Sequence, residues 1–154
     1  MIKYLIMDVD GTLTDGKLYI GEKGEVYKSF SIKDGYGIKN LLIPNNIIPI
    51  IITGRQSKIV DNRCLELGIT NIYQGIYNKY DFLITLNLDF SVTSYIGDDN
   101  NDLDIMLEIK NQGGIVGCPA DASKDVIEIA DFVSKRNGGD GAVREFIEWI
   151  LNKN

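Results

Sequence analysis

Two aspartates stand one residue apart at the end of an apolar run: Tyr4-Leu5-Ile6-Met7 leads into Asp8-Val9-Asp10-Gly11-Thr12. A second acidic group, Asp98, Asp99, Asp102 and Asp104, sets four carboxylates within seven residues, again after an apolar run, residues 92–96. Thr53-Gly54-Arg55 closes a third such run, residues 47–52. Crowded carboxylates destabilise a fold unless a cation offsets them. Hard oxygen ligands suit Mg²⁺, which keeps several waters and takes one or two carboxylates plus substrate phosphate oxygens.

Composition removes the competing chemistries. The chain has 154 residues and no histidine, so Ser-His-Asp or Cys-His nucleophile systems and histidine-ligated metals are excluded. Carboxylates, hydroxyls, lysines or a hard metal must do any catalytic work. The 22 acids against 16 bases, net −6, argue against a nucleic-acid partner. Cys64 and Cys118 form no disulfide framework and read as reduced thiols. No signal-peptide pattern precedes the first apolar run, and the run at 47–52 is far too short to span a bilayer. The expectation is a cytoplasmic protein without a membrane partner. The stretch from Asp98 opens like a calcium-binding EF-hand loop, but Leu103 and Ile109 occupy the positions that need glycine and glutamate. Neither a phosphate-binding Gly-x-x-x-x-Gly-Lys-Ser/Thr run nor a complete dinucleotide fingerprint is present.

The elements that must position these residues follow from hydrophobic pattern. Residues 4–7, 47–52 and 92–96 read as buried parallel strands, with shorter ones at 72–73 and 115–116. Helices are expected at 57–67, capped by Ser57 and stopped by Gly68, and at 79–86, 101–109, 121–130 and 141–151. Alternating strands and helices predict an α/β fold, a Rossmann-like parallel sheet flanked by helices. One stretch breaks the rhythm: residues 17–20 and 25–30 flank Gly21-Glu22-Lys23-Gly24 and read as a projecting β-hairpin. In an open sheet, ligands bind beyond the carboxyl ends of the strands, where Asp8, Thr53 and Asp98 all fall. Taken singly, a lone aspartate after a strand is a turn or cap residue, the reading for Asp15, Asp34 and Asp121.

Asp-x-Asp-Gly-Thr, then Ile-Thr-Gly-Arg, then a lysine, then Gly-Asp-Asp-x-x-Asp, in that order over residues 4–102, resembles the haloacid dehalogenase-like phosphatases. The resemblance implies that Asp8 attacks the phosphoryl group to form an aspartyl-phosphate. Asp10 would protonate the leaving oxygen and then activate water. Thr53 would bind a phosphoryl oxygen, Lys79 would neutralise shared charge, and Asp8, the Asp10 carbonyl and Asp98 would hold Mg²⁺. Asp99 and Asp102 would either touch the metal themselves or orient Asp98 or Lys79. An ion is needed because carboxylate and ester are both anionic, a repulsion worth several kcal/mol at about 4 Å and an effective dielectric near 20.

The likeness narrows. Asp8–Gly16, Phe30-Ser-Ile-Lys-Asp-Gly-Tyr-Gly-Ile38, Ile52–Ser57, Arg63–Ile69 and Gly138-Gly-Asp-Gly-Ala-Val-Arg-Glu145 are similar to the 3-deoxy-D-manno-octulosonate 8-phosphate (KDO 8-phosphate) phosphatases, whose product enters lipopolysaccharide. Sister enzymes act on nine-carbon sialic-type acid phosphates. They tend to carry glutamate where Arg55 stands, so Arg55 favours the eight-carbon substrate. By the same resemblance Ser31, Ile32, Lys33, Asp34 and Gly35 would line the sugar site with Lys39, Gly54, Arg55 and Arg63. Lys33 and Lys39 replace the arginines usual in relatives, and many relatives carry a longer C-terminal tail.

Spacing adds an independent constraint. Asp8 and Thr53 are 45 residues apart, as are Thr53 and Asp98, and neither gap holds a separate cap domain. The whole of 1–154 is expected to form one domain. A site without a cap needs a macromolecular substrate or a covering subunit. The resemblance implies a homotetramer packed through its hairpins. Two other classes remain open at this point: a phospho-acceptor signalling domain, which motif order disfavours, and a non-catalytic partner protein of the same fold.

Overall fold

A computed structural model describes residues 1–154. Six parallel strands form the main sheet: β1 (Tyr4–Met7), β4 (Ile48–Ile52), β5 (Asn71–Tyr73), β6 (Thr93–Ile96), β7 (Ile115–Cys118) and β8 (Phe132–Val133). Their order is β5-β4-β1-β6-β7-β8. The chain therefore builds outward in both directions from β1, and the switch point lies between β1 and its neighbours. Separate from this sheet, β2 (Tyr19–Gly21) and β3 (Gly24–Tyr27) form the antiparallel hairpin, with the Tyr19 and Tyr27 rings stacked at 4.4 Å.

The strands are apolar on both faces because both faces are covered. Leu5, Met7, Ile51 and Ile96 point into one core, beneath α2 (Lys58–Leu67) and α6 (Ala142–Lys153). Ile6, Ile50, Ile52 and Tyr95 point into the other, beneath α3 (Lys79–Thr85), α4 (Leu103–Asn111) and α5 (Lys124–Ile129). Pro49 is tolerated inside β4. Ile48 N–H donates to Lys3 on the β1 side, and pairing with β5 starts only at Ile50, so no partner faces the proline nitrogen.

Most expected elements are present, with shifted ends. The acidic stretch first makes a 3₁₀ turn, Asn100–Asp102, and α4 begins at Leu103 rather than 101. The helix expected at 121–130 is confined to Lys124–Ile129. Two features had no sequence signal. β8 is two residues long, too short for any period to register. After the hairpin, α1 (Ile32–Tyr36) runs into widened π-type turns over Gly37–Leu42. Gly35 and Gly37 disfavour a helix locally, but α6 packs so closely that a Cβ on Gly37 would come within 3.0 Å of the Arg144 side chain.

Phe146 anchors α6. It is fully buried, with ring centroids 5.5 Å from Phe132 and 5.9 Å from Trp149. Phe146→Ala is expected to lower unfolding stability by about 3–5 kcal/mol in urea titration.

Candidate active site

The carboxyl ends of β1, β4 and β6 converge. Asp8 leaves β1 with its N–H on the Ile96 carbonyl (3.1 Å). Asp98 follows β6, and its Oδ1 accepts from the Thr12 hydroxyl at 3.4 Å. Gly11, at φ +86°, turns the chain between them, and a Cβ there would sit 2.0 Å from Asp98 Oδ2. Thr14 ties the same turn, accepting from the N–H groups of Gly11 and Gly16. Thr53 caps β4. It is 2 % exposed, and its N–H and C=O bond to Tyr73 and Ile76.

Lys79, 1 % exposed, joins the two acidic groups. Its Nζ donates to Asp8 Oδ1 at 2.8 Å and Asp102 Oδ1 at 2.7 Å. Asp102 is fully buried and fully engaged. Tyr95 Oη also donates to Oδ1 (2.6 Å), and the N–H groups of Asp98 and Asp99 donate to Oδ2 (3.1 and 3.3 Å). Asp99 is exposed and caps the Asn100 N–H (2.8 Å). Asp104 is exposed on α4.

The electrostatics record how crowded these acids are. Burial and then the Asp102 carboxylate push Asp8 up to about 6, against the pull of Lys79. Burial and then the facing Asp8 push Asp98 up to about 9. Burial alone would lower Lys79, but Asp8 and Asp102 outweigh it and raise its pKa. Carboxylate oxygens of Asp8, Asp98 and Asp102 lie within 4.8 Å of one another, a donor set of the hard type. Asp102 already takes four donors, so Asp8 and Asp98 are the two carboxylates with capacity for a cation.

The residues expected around a sugar divide. Arg55 is exposed beside the hairpin, its Nη2 3.7 Å from Glu25 Oε2, and Gly54 is half-buried at the end of β4. Ser31 Oγ caps α1, accepting from the N–H of Lys33 at 3.2 Å. Ile32 is exposed. Lys33 lines a depression with Arg136, Asp140 and Arg144, while Lys39 and Arg63 line another with Tyr36 and Glu66. Neither depression includes Asp8, Thr53 or Asp98. Asp34 and Gly35 are buried, and Gly35 lines the depression of Lys39 and Arg63. Asp34 is 2 % exposed, and its Oδ1 accepts the Arg144 N–H (2.9 Å) in the first turn of α6, which Gly141 cannot cap for lack of a side chain. Gly35 is buried against the Arg63 guanidinium.

One residue at the site had no sequence signal. Lys28, at the end of the hairpin, is buried with its Nζ 2.6 Å from Asp10 Oδ1 and 3.1 Å from Glu25 Oε2. A lysine after an exposed strand reads as solvated, and only the return of the hairpin over the β1 loop buries it.

The parallel sheet with its switch point at β1, and the Asp8–Lys79–Asp98 grouping at its carboxyl edge, are those of a haloacid dehalogenase-like hydrolase. No protein-family model matches the chain. The 3-deoxy-D-manno-octulosonate 8-phosphate phosphatase KdsC of Escherichia coli K12 is 43% identical over 154 residues, covering 97% of this chain and 79% of that protein. The crystal structure of the Moraxella catarrhalis 3-deoxy-D-manno-octulosonate 8-phosphate phosphatase, in complex with magnesium, phosphate and KDO, superposes with TM-score 0.89 at 37% identity over 98% of this chain and 86% of that one. The cobalt-bound Haemophilus influenzae enzyme gives TM-score 0.87 at 37% identity over 98% and 85%. The chain belongs to the family of 3-deoxy-D-manno-octulosonate 8-phosphate phosphatases.

Burial raises the Asp34 carboxyl to about 6 from 3.8. The folded state therefore holds its proton more tightly than the unfolded state. The cost of the buried charge is absent below about pH 4, grows between the two values and is complete above about 6. Asp34→Asn keeps the accepting oxygen and removes the charge. Measured against wild type by urea unfolding, its relative stability should rise by up to about 3 kcal/mol between pH 4 and 7.

Proposed function

We propose that the protein is a Mg²⁺-dependent phosphomonoesterase that converts KDO 8-phosphate to KDO and phosphate. The observation that carries this is the buried Lys79 holding Asp8 at the sheet edge beside Asp98, in a chain of this family. We read residues 1–154 as a single domain of the haloacid dehalogenase type, extended by the hairpin.

Asp8 is the nucleophile. One of its oxygens attacks phosphorus as the bond to the sugar oxygen breaks, giving an aspartyl-phosphate. Lys79 keeps Asp8 ionised and fixed in direction. Asp102, itself held by the Tyr95 hydroxyl, holds Lys79 in turn, so the ammonium has little freedom to leave. Asp10 gives its proton to the departing sugar oxygen, then takes one from the water that attacks the aspartyl-phosphate and releases phosphate. The Thr53 hydroxyl donates to a phosphoryl oxygen. Asp8, Asp98 and the Asp10 carbonyl would hold Mg²⁺, which would supply positive charge to the phosphoryl oxygens. Gly54, Arg55 and Ser31 face the sugar acid. Lys33, Lys39 and Arg63 meet substrate anions only if the sugar extends from the sheet edge to their depressions.

The substrate is a small phosphorylated sugar acid, and its product feeds lipopolysaccharide assembly. Two buried, unpaired cysteines support a cytoplasmic setting, and no helix is long and apolar enough to cross a membrane. The site has no cap of its own, and the apolar side chains of Leu18, Ile20, Val26 and Tyr27 are exposed on the hairpin. This supports a homotetramer in which hairpins pack together and cover the site.

Phosphate release with Mg²⁺ should be fastest on KDO 8-phosphate, slower on nine-carbon sugar-acid 9-phosphates and slowest on hexose phosphates; preference for the nine-carbon esters would replace the substrate assignment. Asp8→Asn should abolish turnover while leaving the circular dichroism spectrum unchanged, and chelation of Mg²⁺ should stop the wild-type reaction. Light scattering should report four chains, and a fully active monomer would rule out cover by neighbouring subunits.

A further inference from the structure

We propose that Lys28 is a positioning residue for proton transfer: it holds one oxygen of Asp10 so that the other faces the reacting groups. The inference rests on the phosphatase reading above and concerns how that site is supplied with a correctly aimed acid.

Lys28 is a buried cation that the mechanism leaves without a task. Its side chain is 1 % exposed. Taking an ammonium out of water costs several kcal/mol, and an ion pair must be well made to offset it. A staple for the hairpin would need no such burial. Lys28 and Glu25 lie three residues apart, and an exposed pair at that spacing would serve as well, for a small gain. Instead the chain doubles back so that Nζ meets Asp10 Oδ1 at 2.6 Å, across 18 residues of sequence, with Glu25 on its other side at 3.1 Å.

The geometry gives Asp10 an asymmetric environment. Oδ1 is engaged by Lys28, while the side chain remains 26 % exposed, so Oδ2 is left without a protein partner and open to a substrate. A carboxylate on a loop turns about two torsions, and an acid that must meet a leaving oxygen needs those torsions fixed. With Oδ1 held, Oδ2 is the oxygen left to hand over the proton. It passes to the sugar oxygen as the bond from phosphorus to that oxygen breaks and the bond from phosphorus to Asp8 forms. In the second half, water gives a proton to Oδ2 as its oxygen bonds phosphorus and the bond to Asp8 breaks. The proton balance closes without any further reactant. Glu25 also lies 3.7 Å from Arg55 Nη2, so the same hairpin carboxylate links the acid's support to the loop after β4.

The test uses leaving-group dependence, which a purely structural role would not produce. Steady-state kcat/KM is measured at saturating Mg²⁺ for KDO 8-phosphate, whose alkoxide must be protonated as it leaves, and for para-nitrophenyl phosphate, whose phenolate leaves unaided. This ratio reports only steps up to loss of the leaving group. Lys28→Met should lower it by about 100-fold on the sugar phosphate and by less than about tenfold on the aryl ester, while Lys28→Arg should recover about tenfold on the sugar phosphate. Equal losses on both esters, or none on the sugar phosphate, would overturn the proposal. Should Lys28→Met lack a cooperative melt, Lys28→Arg alone decides it, because its residual loss must still fall more heavily on the sugar phosphate. A wild-type protein that hydrolyses neither ester refutes the phosphatase reading itself, which is a different result from an unselective Lys28 variant.

Discussion

Lys79 sits between two buried aspartates, and the rest of the site depends on that placement. Asp8, Asp98 and Asp102 are drawn together by two adjacent strands, β1 and β6, that end at one edge. Without a compensating cation their mutual repulsion in a low-dielectric setting would oppose folding. One ammonium shared between Asp8 and Asp102 offsets part of it and leaves Asp98 as the least comfortable group, pushed up to about 9. The residual imbalance is what a divalent ion corrects.

Asp102 shows how such a charge is kept in place. Two donors meet each of its oxygens, and the glycine before Asp98 permits the approach: a Cβ on Gly97 would lie 2.5 Å from Asp102 Cγ. The 3₁₀ turn at Asn100–Asp102 is therefore a fitting for a carboxylate as much as the start of α4. The hairpin does comparable work from the other side, bringing Lys28 and Glu25 against Asp10 and Arg55. Its Leu18, Ile20, Val26 and Tyr27 side chains stay exposed. An element that touches the site and also exposes apolar side chains is suited to linking assembly with chemistry.

Much of this was legible in the residues. Strong apolar runs marked β1, β4 and β6, because strands buried on both faces need no alternation. The acids at their ends could be read as a cation site from charge alone. The short, long-range features were not. β8 has two residues, and the turns at Gly37–Leu42 exist because α6 lies against them. Asp34 carries no mark that separates a substrate ligand from a cap. Its partner, the Arg144 N–H, is 110 residues away, and the contact makes it the cap of α6.

The sequence by itself determined the strand-helix alternation, the carboxylates at the strand ends and the absence of imidazole chemistry. Each of these depends on residue type and local period, which a chain carries without folding. Tertiary structure alone decided which acid touches which base. Lys79 reaches Asp8 across 71 residues, and Lys28 reaches Asp10 only because the hairpin folds back. Hydrogen bonds and ion pairs act over about 3 Å, a distance that spacing along the chain does not encode, so the contacts of Lys28, Asp34 and Asp102 were fixed by packing.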